Sequence, residues 1–487
     1  MKYLVCIIAF IAFTSCVEHP TNVVVIDAMP VIYPDYVGVT IPASIAPMNF
    51  SVEESGLELV DVRVVGSEGG EIHVRGEWAD FEICEWHTLL SQNIGGTLTF
   101  NVMAKVNGEW QRYKPFEMIV SDCDMTDYGV VYRRIAPGFE TFSTLGMYQR
   151  CLATFEESAI IESRAVDGSC MNCHYSNRGN PEQFSLHIRG KHGCTIIHNG
   201  DEDRYLNTKT SETAGACTYG YWHPEGRYCA YSLNRIYQNF YVGPDKIIEP
   251  WDAVSDIAIL DTHSDELIVS PLMSTHDFET TPAFSADGRT LFFCKAPYCE
   301  MPAGYNQLHY SLCAVAFDEK RGAFGDSITT ILDGDNLGKS ISLPRPSYDG
   351  RWLMFCMTDY GTTPLNRMES DLYLLDMQTG ITRVMDEVNS NESDAYHNWS
   401  SDANGWFLFG SKREDHLYSL LYFALVDETG HATKPFLLPQ RNPKEYYREN
   451  LHSFNAPDFT TRKVELNVQQ TRSEVLSGRV SAVRIKH

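Results

Sequence analysis

The sequence predicts an all-β chain in which a β-propeller follows a smaller β-rich unit. Two observations predict this: a repeated turn-and-strand pattern, and an upstream stretch of alternating polar and apolar residues. In each repeat a polar residue and a glycine form a tight turn, and the next four or five aromatic or aliphatic residues form a buried strand. The repeats are 223–231, 285–294, 347–356 and 400–409, with turn glycines Gly226, Gly288, Gly350 and Gly405. Such spacing is typical of propeller blades with long loops.

Other strands of the blades lie between these turns. The segments 257–261 and 372–376 are apolar, end in aspartate and run into polar turns, as the next strand of a blade would. Cys294 and Cys356 both lie six residues after a turn glycine. We therefore expect them to fill equivalent buried positions as small apolar side chains. The propeller is predicted to occupy residues 190–460.

Upstream, residues 35–122 are predicted to form a small antiparallel β-sandwich. Period-two alternation marks its strands, which are 57–65, 71–76, 97–103 and 116–120. Two roles stay open for this unit: a spacer that raises the propeller off a membrane, or a module that binds carbohydrate or another chain. Residues 16–34 have no helix signal and are predicted to be a tether.

The first fifteen residues have the pattern of a lipoprotein signal peptide. Lys2 precedes an apolar run at 4–13, and the segment 13–16 ends in Cys16, which would be the first mature residue and carry lipid. No other stretch approaches the roughly 18 consecutive apolar residues that a membrane span needs. Lipid on Cys16 is therefore the predicted membrane anchor. The alternative is an ordinary secretory signal that is cleaved elsewhere.

Charge and length restrict the class of protein further. The chain has 487 residues and a formal net charge of −25, which argues against nucleic acid as a partner because that partner needs a dense basic surface. A chain of this length favours more than one domain. The tail, 461–487, is locally basic and is expected to pack on the acidic body.

Cys170, Cys173 and His174 form a C-x-x-C-H string, the spacing at which c-type haem is covalently attached. The two thiols would form thioethers to the porphyrin, and His174 would be an axial ligand of the iron. An extracytoplasmic address agrees with haem c as the cofactor. The alternative is that the two cysteines form a disulfide or belong to a metal site, with His174 incidental.

Residues 123–189 are predicted to be a connector that holds this motif. Within it, 128–135 reads as a strand and 145–161 as a helix. The candidates for the sixth iron ligand are His187, His192 and His198, with Met147 as an outsider, although a five-coordinate iron is also open.

Four segments together carry a family resemblance: 41–50, 170–174, 222–227 and 434–440. With them, most of the mature chain resembles the TolB-like, WD-repeat-like propeller lipoproteins of Gram-negative bacteria that carry C-x-x-C-H before the propeller. The resemblance implies six blades, with seven as the alternative. It also implies lipid anchoring to the outer membrane and a name connected with cytochrome c or its biogenesis. The fourth turn departs from the pattern, because it lacks the arginine after glycine and is one residue longer.

Two functions of different classes stay open. In the first, one covalent haem serves electron transfer or cytochrome c biogenesis, with a redox or scaffold protein as partner. In the second, the propeller is a non-enzymatic scaffold that binds protein or glycan, and the cysteines are structural. Enzymatic turnover is a third interpretation without a motif to support it, since 333–340 has one residue too few for a phosphate-binding loop.

Overall fold

The computed structural model describes residues 20–136, 145–241 and 248–487. Before residue 122 it contains one seven-stranded sheet, one two-stranded sheet and one helix. The elements are β1 (Val24–Val25), β2 (Ile32–Tyr33), β3 (Thr40–Ile41), β4 (Ser51–Val52), β5 (Leu57–Gly66), β6 (Glu71–Gly76), α1 (Ile83–Gln92), β7 (Thr97–Val106), β8 (Glu109–Arg112) and β9 (Phe116–Val120). The four predicted strands of this unit are confirmed as β5, β6, β7 and β9.

One face of this sheet is buried, as the alternation in β7 requires. The covering layer comes from α1 and from the segments beside β4, where Phe50 and Phe81 pack on Phe100 at centroid distances of 6.2 Å each. Trp86 of α1 stacks on Phe81 at 5.3 Å. The second layer of the predicted sandwich is therefore smaller than the first and includes a helix that the alternation does not predict. Two strand pairs, β1 with β8 and β3 with β9, are parallel.

Six blades follow, each with four antiparallel strands at its centre. The first contains β10 (Gly129–Ile135), β11 (Gly146–Cys151) and β12 (Glu157–Glu162), and the second contains β13 (Met171–Asn177), β14 (Asn180–Ile188), β15 (Cys194–Asn199) and β16 (Glu202–Asn207). The third contains β17 (Cys217–Trp222), β18 (Tyr228–Phe240), β19 (Ile248–Asp261) and β20 (Glu266–Ile268), and the fourth contains β21 (Phe278–Phe284), β22 (Thr290–Ala296), β23 (Ser311–Asp318) and β24 (Ala323–Leu332).

The last two blades begin after α2 (Gly334–Leu337). They are β25 (Ser340–Pro346), β26 (Trp352–Thr358), β27 (Asp371–Asp376) and β28 (Thr382–Val384), then β29 (Asp394–Trp399), β30 (Trp406–Ser411), β31 (Leu420–Leu425) and β32 (Phe436–Leu437). After α3 (Pro443–Glu449), β33 (Ser453–Thr460) returns to the first blade and pairs with β10. This strand is the innermost of its blade and closes the ring, so a six-bladed propeller is confirmed, although its blades begin at Gly129 and not at residue 190.

The repeated turns have the predicted conformation. Gly226, Gly288, Gly350 and Gly405 have φ values of +75°, +73°, +75° and +85°, where a side chain would be strained. Two of these turns are closed by a backbone hydrogen bond. The Ser285 amide donates to the Thr290 carbonyl, and the Ser347 amide donates to the Trp352 carbonyl. In the fourth turn the Ser400 amide donates to the Trp406 carbonyl, so this turn is one residue longer, as its sequence indicates. Cys294 and Cys356 are fully buried in successive blades, as expected.

The predicted helix at 145–161 is wrong, because these residues form β11 and β12. Met147 and Ile161 are buried between blades, and pairing with β10 satisfies the backbone, which outweighs local helix preference. The stretch assigned to a connector thus supplies strands of two blades. The tail forms α4 (Val468–Ser477), β34 (Ser481–Ala482) and β35 (Arg484–Lys486), and the last two strands extend β16 and β20 in parallel.

The tail packs on the acidic body, as its charge predicts. Arg462 lies 3.4 Å from Glu182, and Arg484 lies 3.5 Å from Glu266. Cys16 and the predicted signal peptide lie outside the described residues. In the described part of the chain, no helix has the length and apolar character needed to cross a membrane.

Candidate functional site

The innermost strand of every blade has a shift in its hydrogen-bonding register. In five blades the first residue of the shift has a positive φ, between +47° and +53°: Tyr219, Thr281, Leu343, Tyr396 and Ala456. In the second blade the shift lies between Asn172 and Tyr175, so it contains Cys173 and His174. The second half of the C-x-x-C-H string therefore occupies the sixth copy of a β-bulge that the propeller repeats.

His174 is buried inside the blade. The residue is only 2% exposed, and the centroid of its ring lies 5.0 Å from that of Phe184. Burial, with a smaller effect of His198, lowers the pKa of His174 to about 4. Neither ring nitrogen has a hydrogen-bond partner among the described residues. The equivalent residue of the sixth blade is His397, which is equally buried and whose pKa burial lowers to about 3. Both imidazoles are therefore neutral at physiological pH.

Cys170 and Asn172 instead line a cavity of about 930 Å³, which we call the central cavity. It lies where the innermost strands begin, since Tyr219, Tyr396 and Ser453 also line it. Its wall continues over β10, the β18–β19 hairpin and the loops that follow β25–β26 and β30. A cavity of this size and position is the usual form of a ligand site.

The charge of the central cavity opposes that of the chain. Its lining has five cationic side chains and two carboxylates, although the whole chain has a net charge of −25. The cations are Arg133, Arg189, Lys191, Arg367 and Lys412, and the carboxylates are Asp167 and Glu392. An enclosed cationic wall concentrates anions because low-dielectric surroundings screen charge poorly.

Two of these cations, Lys412 and Arg133, are partly buried and have no hydrogen-bond or ion-pair partner among the described residues, whereas Lys191 is exposed. Lys412 follows β30, and no hydrogen bond or ion pair joins its ammonium to another residue in the described ranges. Burial lowers the pKa of Lys412, against the opposing effect of Asp415 and Glu392. Arg133 lies on β10, and its Nε is buried without a hydrogen bond to any described residue. By contrast, Arg367 is held by Glu249 at 3.0 Å and stacks on Tyr360.

A carboxylate and an imidazole hold the turn that carries Lys412. The His416 amide donates to the Lys412 carbonyl at 2.9 Å, which closes the turn. His416 Nδ1 hydrogen-bonds to the Glu392 carboxylate, and His416 has a φ of +65°, a conformation that non-glycine residues rarely adopt. These contacts fix the position of Lys412 on the cavity wall.

The predicted sixth iron ligands are dispersed. His192 lines the central cavity, with Nε2 3.8 Å from the Asp167 carboxylate. His187 is buried, with Nδ1 3.1 Å from Thr195 Oγ1, and His198 Nδ1 lies 2.7 Å from Asp203. Met147 is buried on β11. Within the described ranges, no three His, Cys, Asp or Glu side chains form a group that could hold a metal ion.

The residues present do not fit a haem held in the usual way. Cys170 lines the central cavity, but His174 packs against Phe184 within the blade and does not line it. Strict alternation from Asn172 would turn His174 to the same face, but the register shift at Cys173 and His174 interrupts that alternation. The thiol and the proposed axial ligand therefore do not face one common space.

The sequence does not predict the central cavity or two of its cations, Arg133 and Lys412. Arg133 is followed in its strand by Arg134, which pairs with Glu157 at 3.2 Å. The sequence pattern alone does not show which of the two arginines lines a cavity and which forms an ion pair. Lys412 follows a buried strand directly, which is the one local signal that could have singled it out.

No family model matches the chain, and no curated protein matches it in sequence. Among solved structures it is similar to TolB from Acinetobacter baumannii, with 9% identity, a TM-score of 0.38, and coverage of 74% of this chain and 86% of that one. It is also similar to a putative TolB from Agrobacterium tumefaciens, with 12% identity, a TM-score of 0.36, and coverage of 65% of this chain and 93% of that one. The similarity to hydrazine synthase from Kuenenia stuttgartiensis has 11% identity and a TM-score of 0.32, and it covers 53% of this chain and 64% of that one. These likenesses concern the fold alone, so the cavity must be interpreted from its own residues.

Proposed function

We propose that this protein is an extracytoplasmic binding propeller whose central cavity takes an anionic ligand. The observation that carries the proposal is the pair of unpartnered cations, Lys412 and Arg133, on the wall of one cavity. Burying an ammonium or guanidinium without a counter-charge destabilises the protein. A bound anion would supply that counter-charge through charge-assisted hydrogen bonds. Lipid on Cys16 would hold the protein at the outer membrane.

Thermal unfolding of the whole chain tests this proposal. A ligand that binds only the folded state stabilises it by about 2.7 kcal/mol at 100 times its Kd. We therefore expect at least one anion from a panel of phosphate, sulfate, citrate and acidic oligosaccharides to raise the Tm by several degrees, with uncharged analogues giving no rise. The proposal fails if no anion raises the Tm, or if the uncharged analogues raise it equally.

Covalent haem is the second candidate function, in electron transfer or cytochrome c biogenesis. The C-x-x-C-H spacing and the position of Cys170 on a cavity large enough for a porphyrin favour it. His174, with two unpartnered ring nitrogens, would have to leave its packing against Phe184 to reach that cavity. The structure therefore gives this candidate less support than the anion site.

A pyridine haemochrome spectrum decides the haem question. The protein is expressed with its own signal in a host that matures c-type cytochromes, then purified and denatured. Because His174 packs against Phe184, we expect no covalent haem, and Cys173→Ser is expected to leave the absorption spectrum unchanged. A haemochrome band in the wild-type protein that Cys173→Ser abolishes would contradict this expectation and establish the second candidate.

A further inference from the structure

We infer that the ligand of the central cavity is an acidic oligosaccharide, an inference that rests on the proposed anion site and names its ligand class. The first observation concerns carboxamide side chains. Four of them line the cavity: Asn172, Gln238, Asn366 and Asn455. None makes a side-chain hydrogen bond to another residue of the described ranges, and Asn455 Oδ1 is fully buried without a partner.

Unpartnered carboxamides indicate what the ligand must offer. Each carboxamide presents both a donor and an acceptor, whereas sulfate or an ionised carboxylate can only accept. A simple anion would therefore satisfy the NH₂ groups and leave the carbonyl oxygens, including the buried one of Asn455, without a donor. Hydroxyl groups donate and accept, so a polyhydroxylated ligand satisfies both halves of each carboxamide.

The second observation is an aromatic surface at the cavity. β18 and β19 pair as far as Phe240 and Ile248, well beyond the length of the other blade hairpins, and this extension lines the cavity through Tyr237. The Tyr237 ring stacks on Trp251 at 5.1 Å with an interplanar angle of 25°. Because Tyr237 is still 51% exposed, its other face is open.

An open tyrosine face suits the ring of a sugar. The π-face carries negative partial charge and attracts the positive hydrogens of C–H groups, which a pyranose ring presents on its faces. Trp251 fixes the tyrosine ring, which lowers the entropy lost on binding. A volume of about 930 Å³ is in the range that holds drug-sized ligands and is therefore sufficient for a short oligosaccharide.

Lys412 and Arg133 add the requirement for negative charge, which uronate carboxylates and sulfate esters both supply. The two sources share one recognition chemistry: an anionic group on the cations, hydroxyls on the carboxamides, and a ring face on Tyr237. A nucleotide also combines an anion with a ring, but it offers few hydroxyls to four carboxamides. It serves as a competing probe below.

Calorimetric titration of the whole chain tests the inference. The probes are uronate oligosaccharides of several linkages, sulfated oligosaccharides, their neutral counterparts, citrate and ATP. We expect one acidic oligosaccharide to bind at least about 10-fold more tightly than citrate, ATP and its neutral counterpart. Tyr237→Ala and Asn455→Leu are each expected to weaken that binding about 10-fold.

Tyr298→Ala is the matched control, since Tyr298 is 48% exposed, also stacks on a neighbouring ring and does not line the cavity. It is expected to bind like the wild type. The inference is overturned if citrate or ATP binds as tightly as every acidic oligosaccharide, or if Tyr237→Ala and Asn455→Leu bind the oligosaccharide normally. Citrate binding without an oligosaccharide preference would leave the proposed anion site intact, whereas the absence of any anion binding would remove both.

Discussion

A chain that ends at His452 is expected to lose its cooperative thermal unfolding transition. The deletion removes β33, which pairs along β10 from Gly129 to Ile135 and closes the ring of blades. It also removes Phe459, which is fully buried, and Asp458, whose carboxylate accepts hydrogen bonds from Ser176 in the next blade and from Asn398 in the last. Because a folded protein is usually stable by only about 5–15 kcal/mol, we expect the loss of this closing strand to remove the cooperative transition.

Near-ultraviolet circular dichroism during heating measures this loss. The control is a chain that ends at Gly478, which keeps β33 and α4 but lacks the short edge strands β34 and β35. We expect the control to unfold cooperatively, with a Tm lowered by only a few degrees. A cooperative transition near the wild-type Tm for the shorter chain would show that β33 does not close the propeller.

The sequence predicts those blades whose first hairpin turns at a glycine with a positive φ. Glycines at a positive φ mark four hairpins because other residues are strained there, and the structure confirms all four. The second blade turns differently, through Arg178 and Gly179 at φ values of +50° and +73°. Without the repeated signal, the segment 123–189 is predicted to be a connector, although it contains β10 to β14 of the first two blades.

The central cavity could not be predicted from the sequence for a different reason. Arg133 and Lys412 belong to the first and last blades, and only closure of the ring brings both to one cavity. A local pattern such as C-x-x-C-H can be read in the sequence, but its meaning depends on the strand that carries it. The bulge at Cys173 and His174 repeats in five other blades, and no spacing rule in the sequence shows this.

Lys412→Met is expected to weaken binding of the anionic ligand on the order of 100-fold. Breaking a buried charge pair by removing one partner costs about 2–5 kcal/mol of binding free energy. The same substitution removes an amine that burial destabilises, since burial lowers the pKa of Lys412. We therefore expect the unliganded variant to have an unchanged or raised Tm. A loss of binding without a loss of stability separates a ligand-binding lysine from a structural one.

Calorimetric titration of Lys412→Met with the anion that binds the wild-type protein most tightly is the direct test of the anion site. Lys463→Met is the matched control, because Lys463 is half-exposed, lies 3.5 Å from Glu156 and does not line the cavity. The account predicts a Kd raised about 100-fold by Lys412→Met and unchanged by Lys463→Met. Equal, wild-type affinity in both variants would contradict it, because the anion would then bind elsewhere on the molecule.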